Sequence, residues 1–171
     1  MVRSARSALR EGTWRRVSVG PFGLLAAAGA IGDAVTTAYI IYSPDGNEAN
    51  RLIDGLASLH PAVGAVGFAA FLGAVLAVAL LSFGWLSDAA AGFLVCSPGI
   101  SAIHNVVGFT TGFWLLRQLP VPLALSVGVL FPVFGYLVGT AAAARKGPLP
   151  WTEVTAGFLV VAGVGLAGTA L

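Results

Sequence analysis

Charged residues are scarce in this chain. They make up 9% of its 171 residues, against roughly 25% in soluble domains. A water-soluble fold of this size would lack the polar surface to cover its core, so a bilayer is the solvent that fits. Cysteine is nearly absent as well. Cys96 stands alone, which excludes an intrachain disulfide and a cysteine-based metal cluster. His60 and His104 are the only histidines, too few for haem or copper ligation, and neither a metal nor a cofactor is assigned. GxSxG elbows, HExxH helices, Walker loops and dinucleotide fingerprints are missing. So is any extended basic and aromatic surface of the kind that takes nucleic acid.

What the chain has is apolar length. Hydrophobic residues reach 57% and gather into five runs: Val19–Ser43, Pro61–Leu86, Ala89–Leu116, Pro120–Ala144 and Trp151–Leu171. Each exceeds the ~20 residues a helix needs to cross the hydrocarbon core. None alternates in polarity as a barrel strand would. The expected fold is all-α and integral to the membrane, with five transmembrane helices in one domain over residues 19–171. Residues 1–18 form a basic N-terminal segment, in which Val2–Arg16 reads as a short surface helix. Arg3, Arg6, Arg10, Arg15, Arg16, Arg145 and Lys146 flank one side of the spans, and Arg51 and Arg117 the other. The positive-inside rule then puts the N-terminus in the cytoplasm, the C-terminus outside and the protein in the cell membrane. Trp14, Trp85, Trp114 and Trp151 fall at span ends, the pattern of an interfacial aromatic belt.

Asp33 is the charged residue inside the first run. Burying an ionised side chain at the centre of a span costs about 2.5–3.5 kcal/mol on insertion scales, so such a group is used or neutralised by a partner. At helical spacing it shares a face with Ala26, Gly29, Ala30, Thr36 and Thr37. Small residues let another helix approach closely. The third run offers a matching row in Ser97, Ser101, Asn105, Gly108 and Gly112, with His104 at its edge. Both runs are expected to point outward. Counted from their outer ends, Asp33 lies ~15 Å and His104 ~18 Å deep, and Thr36/Thr37 and Thr110/Thr111 both ~10 Å deep. These depths predict that the first and third spans pack face to face, bringing Asp33 to His104 and Asn105.

An adjacent imidazolium favours a carboxylate's charged form, while burial favours its neutral one. A coupled pair of this kind can hold and release one proton near neutral pH. That suits a proton relay or a site for a cation or small polar solute. It also suits an intramembrane hydrolase with a general base at Asp33/His104. The plainer alternative is an interhelical hydrogen bond that fixes packing, as in a structural or accessory subunit of a membrane complex. The expected partners are the lipid bilayer and a second copy or a larger membrane assembly.

Two local features remain. Ser97-Pro98-Gly99 interrupts the third run, with Ser97 as a helix N-cap and Pro98 in its first turn. Either a short segment precedes a new helix there, or one long helix kinks. The outer connection opens on a Pro-Asp-Gly turn. Asn47 is placed to cap a short helix whose Leu52, Ile53, Leu56 and Leu59 face the membrane. Glu48 and Asn50 would then guard the mouth of the first span, and His60 would start the next helix.

Asp33-Ala-Val-Thr36-Thr37 followed by Glu48-Ala-Asn50 resembles an uncharacterised family of small archaeal and bacterial membrane proteins. Its members carry Asp-x-x-Thr/Ser-Thr in the first span and Glu-x-Asn-Pro just after it. Arg51 stands here in place of the proline. The resemblance implies a shared polar site at Asp33, Thr36, Thr37, Glu48 and Asn50, and no particular chemistry.

Overall fold

The structure is a computed structural model that describes residues 21–43, 51–82, 84–114 and 118–170. The N-terminal basic segment, Asn47, Glu48, Asn50 and Arg117 lie outside the described residues. Among those described the chain is helical, without strands. In order come α1 (Pro21–Tyr42), α2 (Arg51–Leu59), α3 (Pro61–Leu81), α4 (Trp85–Cys96), α5 (Pro98–Thr111), α6 (Val121–Ala144) and α7 (Trp151–Ala170).

Proline opens α3, at a helical position where its missing N–H goes unmissed. His60 caps α3, its Nδ1 accepting from the Ala62 N–H at 3.2 Å, as expected of a helix-start residue. The second span ends earlier than the hydrophobic run implies. Ser82 is extended (φ −83°, ψ 172°), and Gly84 follows with φ +66°. The Ser87 hydroxyl then donates to the Ala79 carbonyl at 2.6 Å, and α4 starts at Trp85.

Among the described residues, four helices are long and apolar enough to cross a membrane: α1, α3, the joined α4–α5 (Trp85–Thr111) and the Ser126–Ala144 part of α6. The apolar helix Trp151–Ala167 in α7 is shorter. Ser97 does not end one helix and begin another. Its N–H donates to Phe93 O at 2.9 Å and its carbonyl accepts from Ser101 N–H at 3.0 Å. The third span is therefore one helix bent at Pro98. The expected side-chain cap is not made, because the Ser97 backbone is itself helical (φ −93°, ψ −72°).

That bend hands the span from one neighbour to another. Below it, α4 packs against α6, and above it, α5 packs against α1. The α4–α6 crossing is nearly backbone on backbone. A methyl group on Gly92 would overlap the Gly135 carbonyl oxygen and stand 2.8 Å from Gly139 N, and one on Gly139 would overlap the Asp88 carbonyl oxygen. Gly135-x-x-x-Gly139 is the small-residue spacing that allows such an approach. The Tyr136 hydroxyl donates to Val154 O at 2.7 Å, joining α6 to α7. Lys146 Nζ meets both Asp88 oxygens at 2.8 and 2.7 Å, tying the end of α6 to the start of α4. Ala26, Ala30, Leu72, Ala79, Ala90, Ala91 and Leu94 form the core among α1, α3 and α4. Around it large apolar side chains such as Leu24, Val66, Leu130 and Phe134 stand exposed, as lipid-facing positions require.

The apolar side of α2 is turned onto protein more than expected. Ile53 is buried, and Ala57 lies so close to Gly64 of α3 that a methyl there would sit 2.8 Å from its Cβ. Leu52 and Leu59 remain exposed.

Candidate functional site

The buried stripe of α1 is Ala26, Gly29, Ala30, Asp33, Thr37 and Ile40, which is the small and polar face read from the sequence, with Thr36 at its margin. Asp33 is 4% exposed and Thr37 3%. Four residues apart, they stack one turn over the other, and the Thr37 hydroxyl donates to Asp33 Oδ1 at 3.4 Å. The Thr36 hydroxyl reaches back to Gly32 O at 2.9 Å and Asp33 O at 3.3 Å. It also accepts from Asn105 Nδ2 of α5 at 3.0 Å. Asn105 is itself 6% exposed. Asp33, Thr36, Thr37 and Asn105 thus form one polar seam between the first and third spans.

Glycine and alanine contacts fix the register of that seam. A methyl on Gly29 would stand 3.1 Å from Gly99 Cα and 2.6 Å from Leu94 O, and one on Gly32 would stand 3.1 Å from Ala102 Cβ. The pairs Gly29–Gly99, Gly32–Ala102 and Thr36–Asn105 climb together, so α1 and α5 run parallel. Pro98 has no N–H for the Leu94 carbonyl, and that oxygen is the atom nearest the Gly29 position. The kink and the glycine are therefore one feature: the bend turns a carbonyl toward α1, and only a residue without a side chain leaves room for it.

This register corrects the sequence-derived partner face. Asn105 is on it, but Gly99 and Ala102 complete it, not Ser97, Ser101, Gly108 and Gly112. Gly108 is covered by Trp114, and Gly112 ends the helix with φ +72°. Close approach selects absence of bulk over polarity. Thr110 and Thr111 also fall away from the seam. Both are exposed, and they donate to Val106 O and Val107 O of their own helix at 2.9 and 2.7 Å. His104 is one residue from Asn105, on the flank of α5, half-buried, with its ring edge-on to Trp114 at 5.9 Å. By register it stands one to two residues' rise (~1.5–3 Å) from the level of Asp33.

On the other side of Asp33, α1 and α3 enclose a crevice of about 100 Å³ lined by Ala30, Ala34, Leu72 and Leu76 among others. Its walls are apolar and offer nothing to hold a charge. Among the described residues no three His, Cys, Asp or Glu side chains gather where they could hold a metal ion.

Helices of this length and apolarity, packed through glycine and carrying a buried carboxyl in a span, define a multi-pass α-helical membrane protein. No family model, curated protein or solved structure matches the chain.

Proposed function

We propose that the protein binds or translocates a proton, a cation or a small polar solute at the α1–α5 seam. Asp33 is the charged ligand and His104 its proton partner. Thr36, Thr37 and Asn105 supply the supporting donors and acceptors. In this reading the chain crosses the cell membrane five times, with the N-terminus in the cytoplasm, the C-terminus outside and α7 as the fifth span.

The observation that carries the reading is the burial of Asp33 within a membrane-length helix, beside hydroxyl and amide groups from two spans. Ionisable groups in such positions mark ion pathways and proton relays. The oxygen-rich set of Asp33, Thr36, Thr37 and Asn105 suits a hard cation or a proton better than a soft metal. The test is reconstitution into liposomes with a pH gradient and a reporter of internal pH or cation. Asp33→Asn keeps an acceptor for Thr37 and removes the charge. It abolishes the pH-dependent flux or binding signal if the reading holds, and leaves it intact if the reading is wrong.

The close glycine contacts favour a second reading, in which the seam only fastens helices as part of an accessory subunit. A wild-type protein with no flux, purified with a stoichiometric partner, is the outcome that selects it.

A further inference from the structure

Past α5 the chain turns back on itself. Gly112 has φ +72°, a left-handed conformation that glycine adopts without strain. The Thr111 hydroxyl ties the turn, accepting from the Phe113 N–H at 3.1 Å and donating to Val107 O at 2.7 Å. The reversal lays Trp114 along the flank of α5. Its indole covers Gly108, where a methyl group would stand 2.5 Å from Cε3 and 2.6 Å from Cδ2. The same indole meets His104 at 5.9 Å and 75° between ring planes, and Phe109 at 5.2 Å and 89°. Phe109 meets Tyr39 of α1 at 4.8 Å and 81°. A tryptophan serving as an interfacial anchor needs none of these contacts, since its ring belongs among the headgroups. Here a side-chain-free seat, a tied turn and a run of edge-to-face rings hold one indole against one imidazole.

We propose that Trp114 is a positioning residue for His104. It fixes the imidazole in one rotamer on the flank of the seam, and Gly108 exists to seat it. Edge-to-face aromatic contacts add stabilisation beyond their buried area, which biases a side-chain rotamer. The functional consequence rests on the reading of His104 as the proton partner of Asp33, but the geometry does not.

The experiment uses the full chain in detergent micelles with isotope-labelled histidine. His60→Asn leaves His104 as the single imidazole and keeps a good helix cap. In this background the His104 proton resonances are displaced from free-histidine values by the indole ring current. Trp114→Ala and Gly108→Ala each remove that displacement. The double variant removes no more than either alone, and Trp114→Phe retains part of it. The pH-dependent flux in liposomes falls in the first two variants and partly recovers with Phe. His104 resonances unchanged by Trp114→Ala overturn the proposal. So does displacement that survives Gly108→Ala, a milder change that leaves both rings in the chain. The resonance readout does not involve transport. Flux surviving Asp33→Asn while the resonances still respond refutes the proposed function and leaves the positioning role standing.

Discussion

At the residue scale, the seam separates charge from packing. Asn105 bridges the spans through Thr36, which keeps its own bond to Gly32 O when Asn105 is lost. Asn105→Leu should therefore destabilise the protein by about 0.6–2 kcal/mol, the range for interhelical hydrogen bonds in membranes, as measured by reversible unfolding in micelles. A larger loss would mean that Asn105 supports more than this bond. Asp33→Asn should leave stability unchanged or higher, because it removes a group that is costly to charge in a span, while flux is lost. Opposite signs for stability and function at one position distinguish a working carboxyl from a structural one. Asp33 and its stripe could be read from the sequence because one charge among apolar neighbours at helical spacing is conspicuous. His104 enters the sequence reading only by counting depth. Trp114 was legible as an interfacial anchor, not as a neighbour of His104, because the turn at Gly112 that redirects it has no hydropathy signal.

At the element scale, glycines decide which helix meets which. Gly29 faces the carbonyl freed by Pro98, whereas Gly32 faces a methyl group. Backbone cannot move aside as a side chain can. Gly29→Ala should thus cost about 1–3 kcal/mol, as overpacking does, and more than Gly32→Ala in the same unfolding assay. Gly139→Ala, which drives a methyl into the Asp88 carbonyl, should separate α4 from α6. Gly73→Ala has open space around it and serves as the tolerated control. The four membrane-length helices described were legible among the five apolar runs because length and hydropathy are local properties. The α4–α6 crossing has its sequence signal in the Gly135-x-x-x-Gly139 spacing, which is weaker to the eye than the polar row on α5. That row misled because polar side chains on a bent helix need not face the neighbour that its glycines approach. Whether Ser97-Pro98-Gly99 breaks or bends the helix is settled by bonds to Phe93 and Ser101, which residue types alone do not specify.

At the scale of the whole molecule, the start of α4, the end of α6 and the start of α7 lie together, tied by Lys146–Asp88. Lys146 is 68% exposed, so Lys146→Ala should cost no more than about 1 kcal/mol, read from the same unfolding curve. In a Cys96→Ala background, single cysteines at Gly84 and Gly147 should react with a membrane-impermeant thiol reagent from one side, and a cysteine at Ser58 from the other. Labelling of all three from one side would contradict the threading. The account as a whole stands or falls on Asp33. Infrared difference spectra of the reconstituted protein, recorded across a pH titration, observe that carboxyl directly. The account predicts that a protonated-carboxyl band exchanges for a carboxylate band with pH, and that the exchange is missing from Asp33→Asn. A band assigned to Asp33 that neither pH nor added monovalent cation alters would contradict it.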